Sequence, residues 1–115
     1  MRKIQYNKLV RDNIPDILEQ EGVRYKCRYL TEEREIVKYL AKKLVEESKE
    51  FIDAFYGEGD MIEELNDVTL VLEELQNVCF KYIDVDKAME KAADKDYIKG
   101  RFDKRILLES VEYKD

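Results

Sequence analysis

Carboxylate side chains recur at helical spacing near the middle of the chain, and they are its strongest candidates for chemistry. Glu46, Glu47 and Glu50 fall within an arc of about 100° on a helix that advances about 100° per residue. The apolar stripe of the same segment, from Leu40 to Phe55, passes directly through position 47. A glutamate therefore replaces an expected apolar residue on the side that the helix should bury.

A second acidic pair follows the same pattern. Glu64 projects onto the apolar arc of its own segment, and Asp67 lies three residues farther on, at the edge of that arc. Glu47 with Glu50 and Glu64 with Asp67 are thus three-apart pairs, and each pair can close on the same ion from its own helix. The sequence predicts that two neighbouring helices present these acids toward each other.

Buried carboxylates repel one another strongly in a low dielectric unless protons or a cation compensate their charge. An all-oxygen set suits a hard cation, which predicts a Mg²⁺ site in which Mn²⁺ could substitute. Such an ion polarises a phosphoryl oxygen and activates an attacking water. The alternative is an acidic face in solvent, because 42% of the residues are charged and some acids fall near one another by chance.

The elements that position these acids are predicted to be helices. Pro15 favours the start of a short helix that ends before Gly22, and Thr31 is a good N-cap for a second helix reaching about Phe55. The connection at residues 56–59 contains two glycines and is short enough to force the next helix back antiparallel to the second. The predicted core is therefore an antiparallel helical hairpin that carries both acidic pairs.

Capping residues predict two further helices. Asp60 should cap a third helix that reaches about Lys81, with apolar residues recurring at helical spacing along it. Asp84 should cap a fourth helix that stops near Gly100, since glycine is common just beyond a helix end. The third helix would thus carry the second acidic pair, and the fourth would follow it.

A small β element is also predicted. Residues 23–30 alternate strictly between two sides, one of them basic, which is typical of a strand with one buried face. The apolar tail at residues 105–113 could pair with this strand as a two-stranded ribbon. The predicted fold class is mainly α, in a single domain over residues 1–115.

Composition excludes several classes of function. The net charge of −6 argues against a nucleic acid polymer as partner, because phosphate backbones are bound by clustered basic residues. No apolar run suits a membrane span or a signal peptide, so no membrane contact and a cytoplasmic location are expected. The chain has no histidine, which excludes Ser/His and Cys/His nucleophiles and imidazole metal sites. Cys27 and Cys79 are expected to be reduced, packed residues.

The acidic pairs also carry a resemblance to a known superfamily. The order Glu46-Glu47-x-x-Glu50, then thirteen residues, then Glu64-x-x-Asp67 resembles the E-E-x-x-E and E-x-x-D signature of the MazG-like, all-α nucleoside-triphosphate pyrophosphohydrolases. The opening YNKLVRDNIP at residues 6–15 is similar to the start of the phosphoribosyl-ATP pyrophosphohydrolase-like subgroup. The ending KGRF at residues 99–102 resembles that of the same subgroup, although an arginine stands where a second glycine is expected.

This resemblance implies an enzyme that hydrolyses a nucleotide between its α and β phosphates and releases pyrophosphate. Glu47, Glu50, Glu64 and Asp67 would hold Mg²⁺, and Glu46, beside the catalytic Glu47, would orient water or act as a base. Candidates to bind substrate phosphates are Lys95, Lys99, Arg101, Lys8 and Arg11, for which a basic face in solvent is the alternative.

Oligomeric state and substrate are further expectations. A helical hairpin of this size cannot easily enclose a nucleotide alone, so a homodimer or homotetramer is expected, as in the superfamily. The substrate could be a nucleoside triphosphate removed in house-cleaning of the nucleotide pool. It could instead be phosphoribosyl-ATP in histidine biosynthesis, because the metal motif is shared between these enzymes. A non-catalytic, acidic helical interaction module is the alternative from another class.

Overall fold

The computed structural model describes residues 2–114 and is mainly helical. Four α-helices follow one another along the chain: α1 (Ile14–Gln20), α2 (Glu33–Asp53), α3 (Met61–Cys79) and α4 (Val85–Lys99). A π-helical turn at Ala54–Glu58 follows α2, and a short 3-10 turn at Phe80–Tyr82 follows α3. The predicted helical class is confirmed.

The predicted β ribbon is wrong, because residues 2–114 contain no β-strand. The side expected to be buried is open: Val23 is 50% exposed and Tyr29 is 96% exposed. In the tail, Leu107 is 82% exposed. Alternation specifies a strand only where one face has something to pack against and the backbone has a ladder partner, and neither segment has these. Arg28 of this region instead donates to both carboxylate oxygens of Glu35 on α2, at 2.7 and 3.1 Å.

Local chemistry sets both ends of α1. The N-cap is Asn13, and Pro15 lies in the first turn, where its missing N–H costs no hydrogen bond. At the other end Gly22 has φ +72° and donates to the carbonyl of Glu19, while Val23 donates to the carbonyl of Leu18. This pair of bonds is a Schellman motif, which glycine favours because it adopts a positive φ without strain.

The α2 helix begins and ends slightly away from the predicted positions. Its N-cap is Glu32 and not Thr31, and no side chain caps it. It ends at Asp53, because the π turn widens the backbone there, so the connection to α3 is longer than the predicted residues 56–59. Within that connection Gly57 has φ +96°.

The α3 helix has the N-cap that the sequence predicts, and it packs against α2. The Asp60 carboxylate accepts from the backbone N–H groups of Ile62 and Glu63, at 3.0 and 3.2 Å. In the part of the chain described, the buried apolar side chains between these elements are Leu40, Ala54 and Val71. This core is small, and the other buried residue within it is Glu47, at 8% exposure.

The chain divides between Lys81 and Tyr82 into two compact units. The first contains α1, α2 and α3. In the second, Asp84 caps α4 by accepting from the backbone N–H of Lys87 at 3.2 Å, and Gly100 ends it with φ +77°, both as predicted. That residues 1–115 form one domain stays a prediction, and residues 1 and 115 lie outside the described residues.

Cys27 and Cys79 are free thiols as expected, but both are exposed, so the prediction that they are packed is wrong. Cys27 lies in the irregular segment between α1 and α2, and Cys79 is the last residue of α3. No helix among residues 2–114 combines the length and the apolar content that crossing a bilayer requires.

Candidate functional site

Three of the predicted carboxylates come together where α2 packs on α3. Glu47 of α2 and Glu64 and Asp67 of α3 each place a carboxylate oxygen within 4.8 Å of the others. We refer to these three residues as the acid cluster. Glu47 is buried, and the other two are half-buried. The spacing is short enough for three oxygens to contact one ion, so the two helices present acids to each other as the helical period predicts.

Two oxygen atoms of the acid cluster are buried without a hydrogen-bond partner. They are Oε2 of Glu47 and Oε2 of Glu64. Leaving a buried acceptor unpaired costs about 1–3 kcal/mol and more for a charged group, so native proteins rarely keep such atoms without a ligand. These two oxygens belong to different helices and to the same cluster, and they therefore indicate a place for a cation or a proton.

The protonation equilibrium of Glu47 responds to this crowding. Burial is the largest influence and raises the pKa of Glu47 above its usual value. A hydrogen bond with Glu50 and the negative charge of Glu50 raise the pKa further, as does the charge of Asp67, while Lys43 acts in the opposite direction. The carboxylate of Glu47 is thus held at a position where its charged form needs a positive partner.

Glu50 stands apart from the other three predicted ligands. Its side chain is exposed, and it is not one of the residues whose oxygens converge within 4.8 Å. It nevertheless lies near enough to Glu47 to raise the pKa of that residue. The structure therefore brings three of the four predicted ligands together and leaves Glu50 at the margin.

Basic side chains border the acid cluster. The Arg11 guanidinium donates to Oδ1 of Asp67 at 2.5 Å. Lys8 Nζ lies 3.3 Å from Oε1 of Glu46. Lys43 Nζ lies 3.5 Å from Oε1 of both Glu46 and Glu47. We refer to Lys8, Arg11 and Lys43 as the basic border.

Sequence reasoning foresaw part of this border. Lys43 pairs with Glu46 three residues along α2, a spacing that brings side chains together on a helix. The contact of Lys43 with Glu47 was missed, although four-residue spacing is an equally good signal. Lys8 and Arg11 were expected near substrate, but their partners Glu46 and Asp67 are 38 and 56 residues away in sequence. No local pattern reports contacts over that separation.

A cavity of about 280 Å³ lies between the N-terminal segment and α2. Its floor is partly apolar, from Val10 and Ile14, and its charged side chains are those of the basic border together with Glu47. The cavity thus joins positive groups to one member of the acid cluster, an arrangement that suits an anion bound beside a cation.

The other predicted phosphate ligands lie in the second unit. Lys95 and Lys99 are exposed residues of α4, and Arg101 is exposed just after Gly100. Lys99 occupies the last turn of α4, where a positive charge also stabilises the helix dipole. Contact of these three residues with a substrate stays a prediction.

The chemistry available at the acid cluster is limited to oxygen donors and fixed positive charges. Carboxylate oxygens alone favour hard divalent cations such as Mg²⁺. Lysine and arginine favour phosphate groups, which they contact by charge-assisted hydrogen bonds. Comparison of the chain with protein-family models, with curated proteins and with solved structures finds no match.

Proposed function

We propose that this chain is a Mg²⁺-dependent pyrophosphohydrolase that cleaves a nucleoside triphosphate, or a related nucleotide, between its α and β phosphates. The observation that supports this most is the pair of unpartnered buried oxygens on Glu47 of α2 and Glu64 of α3, two residues of the acid cluster. The order and spacing of the acidic motifs, which resemble those of MazG-like enzymes, support the same assignment.

Glu47, Glu64 and Asp67 would hold the Mg²⁺ ion, with Glu50 as a fourth carboxylate at the margin. The residues fit this ion, because the donors are all oxygens and two of them lack any other partner. When bound, Mg²⁺ supplies Lewis-acid polarisation of a phosphoryl oxygen and lowers the pKa of a water.

Glu46 has the position of a proton acceptor in this proposal. Its carboxylate is 31% exposed and contacts both Lys8 and Lys43, so it lies at the edge of the cluster within reach of solvent. Two lysines also keep its carboxylate oriented. It would therefore orient an attacking water and take up its proton.

The fold and the assembly form part of the same proposal. The α2 and α3 helices would be the antiparallel hairpin of a MazG-like domain, and a second copy or a tetramer would complete the substrate site. Large apolar side chains around the π turn support this, since Phe55 is 62% and Tyr56 is 77% exposed. A core of so few buried residues is also small for an independent domain. Lys95, Lys99 and Arg101 remain candidates for substrate contact.

A nucleotide panel tests the proposed reaction. Protein and Mg²⁺ are incubated with canonical and modified nucleoside triphosphates and with phosphoribosyl-ATP, and pyrophosphate and orthophosphate are measured separately. We expect pyrophosphate from at least one substrate, and the preferred substrate distinguishes pool cleaning from a biosynthetic role. Release of orthophosphate alone would exclude cleavage between α and β phosphates. No release from any substrate would favour the non-catalytic interaction module.

A further inference from the structure

The basic border shares carboxylates with the acid cluster. Arg11 contacts Asp67, which also belongs to the cluster, and Lys43 contacts Glu47, the most buried member. A cation held by the cluster would therefore meet two fixed positive charges on its own ligands. Unless something negative lies between them, the cation and these side chains repel each other.

The ion-pair partners that a cation would take from the basic border indicate what that negative group is. Five carboxylates lie in and beside the cluster and three basic side chains border it, which leaves two negative charges. One divalent cation balances the net charge, but by taking up Asp67 and Glu47 it removes ion-pair partners from Arg11 and Lys43. An oxyanion that contacts both the cation and the basic border restores their partners, and a phosphate group has the several acceptor oxygens needed for this.

The local backbone presents the basic border from two sides. Asn7 adopts φ +47°, a left-handed conformation that asparagine tolerates better than most residues, and it immediately precedes Lys8. The carbonyl of Arg11 accepts from the N–H of Ile14 at 3.1 Å, which fixes Arg11 to the start of α1. Lys43 comes from α2, one turn before Glu47. These three positions surround the cavity of about 280 Å³, which offers room for a phosphate group.

We propose that Lys8, Arg11 and Lys43 form a phosphate subsite that is coupled to the cation site through shared carboxylates. The inference rests on the cation site of the proposed function. A cation withdraws Asp67 and Glu47 from the basic border, and the released positive groups then bind phosphate. Coupling of this kind is reciprocal, so phosphate raises the affinity for Mg²⁺ by the same factor.

The test measures Mg²⁺ binding from the rise in melting temperature during a Mg²⁺ titration, with and without inorganic phosphate, at constant ionic strength and at matched free Mg²⁺ concentrations. For the unmodified protein we expect phosphate to lower the Mg²⁺ concentration at half-maximal effect by about fivefold or more. In Arg11→Gln, Mg²⁺ alone should bind about two- to fivefold more tightly, because a competing exposed ion pair is gone. In the same variant, the effect of phosphate should largely disappear.

Arg28→Gln is the matched control. Arg28 and Arg11 are almost equally exposed, at 64% and 62%, and each is ion-paired with a carboxylate, but Glu35, the partner of Arg28, is outside the cluster. We expect the control to behave like the unmodified protein. Arg11→Lys, which keeps the charge, should retain part of the coupling and shows that a loss in Arg11→Gln is not due to misfolding.

Two results would overturn the proposal in distinguishable ways. If Mg²⁺ stabilises the unmodified protein but phosphate has the same effect in Arg11→Gln, Arg11 only anchors the N-terminal segment, and the cation site stands without the subsite. If Mg²⁺ fails to stabilise the unmodified protein at any phosphate concentration, the cation site itself is absent and the proposed function fails with it.

Discussion

Glu47 combines a buried position with a charge that no hydrogen bond fully satisfies. One of its oxygens lies near Lys43, and the other has no partner. In a protein evolved only for stability, an apolar residue would fill this position at lower cost. Replacing Glu47 therefore separates the effect on metal binding from the effect on folding stability most clearly.

Replacing Glu47 by glutamine should abolish turnover while preserving the fold. The variant keeps the shape of the side chain and removes the repulsion with Glu50 and Asp67. In the presence of a chelator we expect its melting temperature to rise by roughly 2–5 °C. Calorimetry and the pyrophosphate assay measure the two effects. Glu73→Gln, at an exposed position of α3, is the control and should change neither quantity.

Full activity in Glu47→Gln would contradict the assignment of this residue as a ligand. An unchanged melting temperature together with lost activity would indicate that Lys43 compensates most of the charge of Glu47, at the 3.5 Å separation between them.

The raised pKa of Glu47 predicts how stability depends on pH. The folded protein binds the proton more tightly than the unfolded chain, whose carboxyl keeps a pKa near 4.5. In chelator, this contribution is therefore most favourable below about pH 4.5 and is lost as the pH rises through the higher pKa of the folded state. With millimolar Mg²⁺ the trend should reverse, because the ion needs the ionised carboxylate.

Thermal melts between pH 4.5 and 7 check this prediction, with Glu47→Gln as the variant that should lose the slope. The ion pair of Glu35 with Arg28 affects stability in another pH range. The hydrogen bond from Arg28 lowers the pKa of Glu35 below 4.5, so this contribution to stability is present above pH 4.5 and is lost as the pH falls through the lowered pKa. A slope that persists in Glu47→Gln would assign the effect to another group.

At the scale of elements, local chemistry explains what the sequence could predict. Asp60 and Asp84 cap α3 and α4 as expected, since a cap depends on a side chain and the backbone two or three residues away. The position of Glu47 on the buried side of α2 follows from helical periodicity. These features need no knowledge of distant contacts.

The features that could not be predicted depend on tertiary contacts. The alternating pattern at residues 23–30 resembles a strand, but a strand needs a neighbour, and sequence alternation does not supply one. The π turn at Ala54–Glu58 ends α2 before the predicted Phe55, and its first residue, Ala54, is buried at 5% exposure in a tertiary contact that no local pattern reports. Arg11 reaches Asp67 only after α1, α2 and α3 are assembled.

The turn between α2 and α3 offers a test of how the helix pair is built. Gly57 has φ +96°, and Gly57→Ala should destabilise the protein by about 1–2 kcal/mol, because a side chain disfavours this backbone conformation. Gly59 has extended backbone, and an added Cβ would lie 3.6 Å from Cβ of Ala54, which is an ordinary contact. Gly59→Ala is therefore the control, and denaturant unfolding of both variants should separate them. Equal stabilities would show that the π turn relaxes around residue 57.

At the scale of the whole molecule, apolar exposure is the dominant feature. Among the described residues only Leu40, Ala54 and Val71 are buried apolar side chains, while aromatic residues such as Phe55 and Tyr56 are open to solvent. A stable chain of this size normally buries more than half of the surface that it exposes when unfolded. The balance favours association of two or more copies.

We expect a mass of two or four times 13.8 kDa in solution, measured by light scattering after size-exclusion chromatography. Phe55→Asp should shift this mass toward a single chain, because a charge in an apolar contact is unfavourable. Glu58→Gln, a nearby exposed polar change, is the control. A measured mass of one chain for the unmodified protein would contradict the expected assembly.

The division of the acid cluster between α2 and α3 has a consequence for local opening. An ion that binds Glu47 from one helix and Glu64 and Asp67 from the other is released whenever the two helices separate. Bound Mg²⁺ should therefore slow the exchange of amide hydrogens with deuterium in the middle of both helices together, and by the same factor. The ion would make the helix pair a single cooperative unit, with its lifetime set by the residence of the metal.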